Sequence, residues 1–454
     1  MIADLRAEFA VARARIAELE AENRELRRLL DEERRKKKRQ ASPFAKRLKE
    51  NPKKPGRKAG PEYGKQSRRT ISKKIDRRET VQCPLWCPKC HGRVKLDHEE
   101  KQYQTDIPAV EPTTTEYTIQ VGVCEQCGRQ VRDRHPEQTS EATGAVGGVQ
   151  IGPRAIGLAT HLNKSCGMSW ERIAALYGQV FGLVVSRSGL CRALRRLACR
   201  GRPLYDKLRE QIGKELVVSP DETGWRVGGD SAWLHAATTP KTTVYVVARG
   251  RGYAEAEYLL GMFFAGFLAV DGWRPYRSFL FAVIQTCLAH LLRRSASLQE
   301  VPRTEASREW LVELTARLKQ ALQLRDCRDD YSSHGFAIAR GRLKASFNRH
   351  IDNPAMDDDI VKFAAYLVRS RQEIFVFLHE PDVPATNYRA EQAIRPAVVN
   401  RKMSGGNRTW AGALDQGIMT SLLRTWTQRG RNVIDYCVRL LTAPTQAKAL
   451  TLVR

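Results

Sequence analysis

Two short apolar runs, each ending in an aspartate, most constrain what this chain can fold into. The first covers residues 216–218 and leads through Ser219 and Pro220 to Asp221, and the second covers residues 267–270 and ends at Asp271. Short apolar runs rich in β-branched residues and bounded by turn residues predict buried strands. Proline cannot donate to a sheet ladder, so we expect Pro220 to end the pairing of the first strand. One such aspartate alone is typical of a turn, but two at strand ends predict acids placed where a core opens to solvent.

The segment between the two acids is patterned as strand, turn, strand, helix. The strands are expected at residues 231–239 and 242–249 and the helix at 253–262. A third stretch, around Glu391, has a helical pattern that places Glu391 and Arg395 on one face. A ribonuclease-H-like α/β core has this element order, in which antiparallel strands are followed by a helix and then by a strand that bears an acid. We therefore expect that fold class, with all three acids in one site.

Five motifs in this order resemble DDE transposases of the insertion-sequence-66 family, and the resemblance covers nearly the whole chain. They are Asp221 to Val227, Val270 to Gly272, Cys287 to Arg293, the block around Glu391, and Arg401 to Gly406. The resemblance implies a zinc-finger segment before the core, an all-helical insertion within it, and small accessory proteins encoded by the same element. The chain departs from the family at Asn387-Tyr388, where a pair of asparagines is usual.

Metal-dependent phosphodiester chemistry needs the attacking and the leaving oxygen to be stabilised together, which two Mg²⁺ ions achieve. Carboxylates are suitable Mg²⁺ ligands. We expect Asp221 and Asp271 to hold the ions with Glu391, while Glu222 points to the opposite face of its strand. The expected activity is cleavage at the ends of an insertion sequence and strand transfer into target DNA. Arg395 is expected to hold a phosphate.

Two other functions compete with this one. The first is a catalytically silent, transposase-derived regulator that only binds DNA, and the second is a structure-specific nuclease on the same fold. A regulator of this kind would keep the DNA-binding segments and lose an acid, but all three acids are present. A nuclease would not need the N-terminal segments described below.

The charge of the chain indicates a polyanionic partner, which we expect to be double-stranded DNA. The 454 residues include 77 Lys+Arg and 50 Asp+Glu, a formal net charge of +27. Neutralising phosphates releases counterions and drives such binding. The sequence has no run of about 18 apolar residues and no signal-peptide core at its start, so we expect a cytoplasmic, nucleoid-associated bacterial protein.

Residues 1–33 carry a heptad pattern that predicts a coiled coil. Ile2, Phe9, Ile16, Asn23 and Leu30 occupy position a, and position d is held by Leu5, Ala12, Leu19, Leu26 and Glu33. An asparagine at one a position favours a parallel dimer in fixed register. We expect a homodimer or a higher oligomer, the alternative being an amphipathic helix packed on its own chain.

Residues 34–78 form a basic segment with 20 Lys+Arg and 3 Asp+Glu. This composition is typical of a disordered arm that orders on nucleic acid, or of a solvated linker. Two CxxC motifs follow in residues 79–140, at Cys87/Cys90 and Cys124/Cys127. Two turns with paired thiolates are typical of one structural Zn²⁺ in a zinc ribbon, with strands expected over residues 103–123. Cys83 is an alternative ligand.

Residues 150–210 are predicted to be helical and to resemble a helix-turn-helix DNA-binding region. Ser169 is expected to cap one helix and Ser186 a second that ends at Arg200. The DNA-binding candidates on the second helix are Arg187, Arg192 and Arg195. A plain packing layer is an alternative that fits the pattern almost as well.

The rest of the chain is divided between the core and its insertion. We expect residues 211–299 to form the first part of the core, 300–380 the all-helical insertion and 381–454 the last part. His290, after the second acid, is expected to contact phosphate or water, or to be a core histidine. The acidic run at residues 357–359 is expected to cap a helix. Basic residues after Glu391, Arg401 and Lys402 among them, are expected to line a DNA channel.

Overall fold

A five-stranded mixed sheet lies at the centre of the larger of two units in this computed structural model. The described residues are 70–140, 150–301 and 303–453, together with Arg15, Glu18, Leu19, Glu22 and Glu25. They divide into the units Met1–Ile107 and Pro108–Arg454. The five positions between 15 and 25 are helical. Apart from them, the coiled-coil prediction falls on residues outside the described set and remains a prediction.

The sheet has the strand order β5-β4-β3-β6-β7. Its strands are β3 (Val217–Val227), β4 (Asp230–Thr238), β5 (Thr243–Ala248), β6 (Phe267–Val270) and β7 (Val283–Thr286). β3, β4 and β5 pair antiparallel, and β6 and β7 continue the sheet in parallel on the other side of β3. Gly228 and Gly229, both with positive φ, join β3 to β4, as a two-residue hairpin requires. This mixed sheet is compatible with the expected ribonuclease-H-like core.

Pro220 does not end strand β3, contrary to the sequence-based expectation. The antiparallel ladder to β4 continues through Pro220 opposite Ala237 and onward to Val227. The parallel ladder to β6 stops at Val218. Proline therefore ends the pairing on one side of the strand only, because its missing N–H faces the side on which no partner strand remains.

Alternate residues on the central strands pack into two different hydrophobic clusters. Ala237 and Val244 belong to a cluster with helices on one face, and Ala236 and Tyr245 belong to a second cluster on the other. Since successive strand residues point to opposite faces, the sheet is covered on both sides. The helices of the larger unit that precede the insertion are α1 (Pro153–Lys164), α2 (Trp170–Phe181), α3 (Arg187–Ile212), α4 (Tyr253–Leu260) and α5 (Leu288–Gln299).

The caps of α2 and α3 lie where the sequence predicts them, but α3 is longer than expected. The Ser169 and Ser186 hydroxyls accept from backbone N–H groups in the first turns of α2 and α3. Gly182 ends α2 in the left-handed conformation. Helix α3 runs past Arg200 to Ile212, because its buried face continues through Leu204 and Leu208.

Between β7 and the last acid, three long helices form a hydrophobic core of their own. They are α6 (Glu305–Asp326), α7 (Ser333–Asp352) and α8 (Asp358–Arg369). Asp357 caps α8 by accepting from the backbone N–H groups of Asp359 and Ile360, as predicted. Four more helices complete the chain, α9 (Tyr388–Ser404), α10 (Trp410–Gln428), α11 (Val433–Thr442) and α12 (Gln446–Ala449).

The strands expected over residues 103–123 are mostly absent. β1 (Val121–Val123) pairs with β2 (Gln130–Arg132), and residues 103–120 have no regular secondary structure. Every residue of β1 and β2 is exposed, so no apolar face is available to hold a larger sheet together. In the described part of the chain, no helix is both long and apolar enough to span a membrane.

Candidate active site

Asp221 and Asp271 lie at the same edge of the sheet. β3 and β6 run parallel at Val217 and Val218, and Asp221 follows soon after on β3. Asp271 follows the last residue of β6 directly. The carboxyl ends of adjacent parallel strands open onto one crevice, which is where ligands bind in α/β sheets. The two acids predicted from the strand pattern are therefore brought together by the strands themselves.

Asp271 and Glu391 both lie within electrostatic reach of Asp221. The pKa of Asp221 is raised to about 7, first by burial and then by the negative charges of Glu222, Asp271 and Glu391. The backbone N–H of Glu222 donates to Asp221 Oδ1 at 2.9 Å and partly opposes this rise. Like charges held together in a half-buried site favour the protonated form of one of them. A cation placed among these carboxylates would remove that penalty.

Glu222 points away from this cluster and is fully engaged elsewhere. Its side chain is 1% exposed and accepts from Arg251 at 2.6 and 2.9 Å. The Tyr276 hydroxyl donates to its other oxygen at 3.0 Å. This agrees with the strand alternation expected from the sequence, and it leaves Asp221 as the carboxylate of β3 that faces the crevice.

Asn387 anchors the helix that carries Glu391. It is fully buried, its Nδ2 donates to the carbonyl of Pro220 at 2.8 Å, and its backbone N–H donates to Cys287 Sγ at 3.1 Å. Pro220 immediately precedes Asp221, and Cys287 caps α5 directly after β7. The first turn of α9, with Glu391 in it, is therefore fixed to the strand that bears Asp221.

Arg293, on α5, holds the carboxylate of Glu391, and His290 of the same helix lies beside both side chains. Arg293 Nη2 lies 2.6 Å from Glu391 Oε1 and 2.9 Å from His290 Nε2, and His290 Nε2 is 3.6 Å from the same carboxylate oxygen. Burial lowers the pKa of His290, and the charge of Arg293 lowers it further. The role of Arg293 was not predicted from the sequence, because its partner is far away in the chain.

The helical insertion reaches the site at the turn after Asp271. Gly272 has a φ of +102°, and a Cβ there would lie 2.5 Å from the Tyr366 hydroxyl of α8. In the short 3-10 turn Arg274–Ser278, Arg277 donates to Glu373 at 2.8 Å, and at the end of β7 the Thr286 hydroxyl donates to the same carboxylate at 3.1 Å. These two contacts join the segment after β6 and the end of β7 to the segment between residues 300 and 380.

The donor chemistry suits Mg²⁺, although the side chains are not yet arranged as a set of ligands. Within residues 70–140, 150–301 and 303–453, no group of three or more His, Cys, Asp or Glu side chains is placed to hold a metal ion. Asp221, Asp271 and Glu391 nevertheless supply the carboxylate oxygens that Mg²⁺ prefers. Their mutual repulsion, seen in the raised pKa of Asp221, is what a divalent cation relieves. To serve as a ligand, Glu391 would have to give up its hydrogen bond from Arg293.

The basic residues predicted to line a DNA channel differ in their surroundings. Arg395 is exposed on α9, one turn beyond Glu391. Arg401 is half-buried and donates to the carbonyl of Gly224 on β3, so it fastens α9 to the sheet. Lys402 is exposed. On α3, the predicted DNA-binding residues Arg187, Arg192 and Arg195 are all exposed.

The two CxxC motifs form the same local turn. In each, the N–H of the first cysteine donates to the carbonyl five residues later, at 2.8 Å from Cys87 and 2.9 Å from Cys124. The pKa of Cys87 is lowered chiefly by the backbone N–H of Cys90, and that of Cys124 chiefly by the backbone N–H of Cys127. Such donors stabilise thiolates, the form that binds metal. The turns lie in different units, so the predicted zinc remains a prediction.

Comparison with known proteins identifies the family to which this fold and site belong. Residues 148–415 match the family model described as "Transposase IS66 family", and this range contains all three acids. One curated relative, the uncharacterized protein y4qI of Sinorhizobium fredii, is 26% identical over 301 residues, which is 58% of this chain and 54% of the relative. The chain thus spans about half the length of that relative. Since the family model matches more than half of the sequence, the chain belongs to the IS66 transposase family.

Proposed function

We propose that this chain is an active DDE transposase, which cleaves DNA at the ends of its insertion sequence and joins those ends to target DNA. The observation that carries the proposal is the convergence of Asp221, Asp271 and Glu391. The charges of Asp271 and Glu391 both raise the pKa of Asp221. Their placement at the carboxyl edge of parallel strands supports a catalytic role. Membership of the family supports transposition as the purpose of that chemistry.

Asp221 and Asp271 are the proposed ligands of a pair of Mg²⁺ ions, with Glu391 completing the set from α9. When bound, such ions stabilise the attacking and leaving oxygens of an in-line phosphoryl displacement. The contribution of the protein is to hold three carboxylates at one edge of a rigid sheet. Asn387 contributes by fixing α9 to the strand of Asp221.

The protonation states of two side chains, Asp221 and His290, matter for metal binding at this site. Asp221, with its pKa raised to about 7, carries a proton in part of the molecules at neutral pH and must lose it to become a metal ligand. His290 is uncharged, because burial lowers its pKa. Since an arginine cannot accept a hydrogen bond, His290 Nε2 is the acceptor from Arg293 and the ring proton lies on Nδ1. His290 therefore orients Arg293 toward Glu391.

A strand-cleavage assay with Mg²⁺ tests the proposal. The substrates are duplexes that carry the inverted repeats flanking the gene, and unrelated duplexes of equal length serve as the control. Nicking at the end of the repeat, followed by joining to a second duplex, is the expected result. The variant Asp271→Asn should lower the cleavage rate by more than about a hundredfold. Substituting a residue that only hydrogen-bonds to a metal ligand already lowers metal affinity or activity about 10–100-fold.

The same assay distinguishes the competing functions. Binding of the repeat without any metal-dependent cut would identify a regulator and overturn the proposal. Cleavage that depends on DNA structure, with no preference for the repeat and no strand transfer, would identify a nuclease. Asp271→Asn should still bind the repeat, because the substitution removes a charge without removing any contact that holds the sheet together.

A further inference from the structure

A cleft lined by arginines lies apart from the three acids. It encloses about 620 Å³, and its lining includes Arg134, Arg192, Arg195, Arg196, Arg200 and Leu441. Four of these arginines come from successive turns of α3, and Arg134 comes from the segment after β2. A cleft of this volume is in the range of ligand-binding sites, and its charge is of one sign.

Most of these arginines have no acidic partner. Among the residues that the structure describes, the guanidinium groups of Arg134, Arg192 and Arg196 have no ion pair and no hydrogen-bond acceptor, and Arg196 Nε is buried without one. Arg195 is within electrostatic reach of Asp415 on α10. Arg200 is committed to the protein, because it donates to the carbonyl of Leu441. The cleft therefore has donors that are free for a ligand.

Clustering these cations costs free energy. Arg192 and Arg196 are spaced i, i+4 on one helix face, where like charges destabilise a helix. The buried Nε–H of Arg196, which has no acceptor, adds a further cost. Phosphate oxygens would relieve both, since a guanidinium binds phosphate through two parallel hydrogen bonds.

We propose that this cleft binds phosphate groups of the DNA backbone, and that it does so independently of the acids and their metal ions. The identity of the polyanion rests on the proposed function.

The geometry favours backbone contact over reading of bases. A helix with its side chains is about 10–12 Å wide and just fits a major groove about 12 Å wide. Leu441 and Thr139 line the same cleft as Arg192 and Arg196, so other parts of the chain occupy space beside α3 that a groove would need.

Arg342 provides a control, because it is exposed on α7 in the helical insertion and is not part of the cleft. Binding of fluorescent duplexes is measured by anisotropy at several salt concentrations, without added divalent metal. For Arg192→Ala/Arg196→Ala, the slope of log affinity against log salt should fall by about 2, since each lost phosphate contact removes about 0.9. The loss should be equal for repeat and unrelated duplexes, and Arg342→Ala should match the wild type.

Several results decide against the proposal. Unchanged binding by the double variant overturns it, and so does a loss confined to the repeat, which would indicate base reading by α3. Arg192→Lys/Arg196→Lys keeps the charges and should retain the salt slope, which separates loss of phosphate contacts from loss of folding. Asp271→Asn should bind with wild-type affinity, so a failure of the cleavage proposal and a failure of this one are distinguishable.

Cys199 gives an independent measurement on the unaltered protein. It is exposed and lines the cleft, whereas Cys327 is exposed at the end of α6. The alkylation of each cysteine by N-ethylmaleimide is measured by mass spectrometry of the peptide that contains it. Duplex DNA should slow the alkylation of Cys199 and should leave the alkylation rate of Cys327 unchanged. Protection of Cys199 by tripolyphosphate but not by duplex would assign the cleft to a free polyphosphate and overturn the DNA assignment.

Discussion

Glu391 has two competing partners, the guanidinium of Arg293 and the cation that its site is proposed to bind. The hydrogen bond of 2.6 Å between Arg293 Nη2 and Glu391 Oε1 must open before that oxygen can coordinate a metal. We predict that Arg293→Ala tightens Mn²⁺ binding by up to about fivefold, because an exposed ion pair is worth about 0.2–1 kcal/mol. Calorimetric titration of the metal into the protein measures this.

A matched pair elsewhere controls for the loss of a surface charge. Arg308 pairs with Glu305 at 3.7 Å on α6, and both side chains are exposed. Arg308→Ala should leave Mn²⁺ affinity unchanged. Weaker metal binding by Arg293→Ala would contradict the competition and would mean that Arg293 holds Glu391 in the geometry that a metal needs.

Asp221 makes stability depend on pH in a direction that can be worked out. Its pKa is raised from 3.8 to about 7 on folding, so the unfolded chain loses this proton first as the pH rises. Between these values the unfolded state binds fewer protons, and the stability of the fold falls with rising pH. The loss of stability caused by ionising Asp221 in the folded state is fully present above pH 7. It amounts to at most about 4 kcal/mol, at 1.36 kcal/mol per pKa unit.

Asp221→Asn is therefore predicted to be more stable than the wild type at pH 8, by an amount that shrinks as the pH is lowered to 5. Urea unfolding at the two pH values, without added Mg²⁺, measures the difference in free energy of unfolding. Glu309→Gln, at an exposed acid on α6, is measured alongside as the control for loss of a carboxylate. An equal gain for Asp221→Asn at both pH values would show that the charge of the neighbouring acids is not its cause.

The individual acids were predictable because each one follows a local signal. Asp221 and Asp271 end apolar runs, and Glu391 lies in a helical pattern that the family resemblance also marks. Arg293 was not predictable, because its partner is 98 positions away and nothing local indicates the contact. Arg401 was expected beside DNA, and the structure instead places its guanidinium on the carbonyl of Gly224. A charge pattern does not reveal which cations are used to fasten one element to another.

At the scale of elements, the site depends on how α9 is docked against β3 beside Asp221 and against the end of β7. Asn387 makes both contacts, through Nδ2 to Pro220 and through its backbone N–H to Cys287. Asn387→Ala leaves the buried Pro220 carbonyl without this donor. We predict a loss of about 1–3 kcal/mol in the free energy of unfolding and a weaker affinity for Mn²⁺, as Glu391 moves with α9.

Asn432 allows the two effects to be separated. Its side chain caps α11 by accepting from the N–H groups of Ile434 and Asp435. Asn432→Ala should cost about 1 kcal/mol of stability, as loss of a cap does, while metal affinity stays at the wild-type value. If both variants weaken metal binding in proportion to their instability, Asn387 has no positioning role.

The boundaries of helices and strands agree with the sequence-based prediction where a cap or a turn sets the boundary. They differ from it where tertiary contacts set the boundary. The caps at Ser169 and Ser186 are local hydrogen bonds, and both were predictable. The continuation of β3 through Pro220 depends on which neighbour each edge of the strand has, and that is known only once the sheet is assembled. Helix α3 likewise extends past Arg200 because Leu204 and Leu208 have a core to pack against.

At the scale of the whole molecule, the family match and the CxxC motifs cover different parts of the chain. The match begins at residue 148, whereas the four cysteines lie between residues 87 and 127 and are spread over both units. The repeated turn at Cys87 and Cys124, with N–H donors that lower both pKa values, is the local preparation that a thiolate metal site needs. The matched range does not include these cysteines, so the predicted zinc site needs a test of its own.

We predict one tightly bound zinc ion per chain, measured by mass spectrometry of the metal content of the purified protein. Four thiolates that share one ion lose it when either turn is altered, so Cys87→Ser and Cys124→Ser should each lower the zinc content to near zero. Cys327→Ser, at an exposed cysteine in the helical region, should retain it. Full zinc content in Cys87→Ser would mean that this turn is not required. Because a structural metal contributes folding free energy, the zinc-free variants should also unfold at lower temperature than Cys327→Ser.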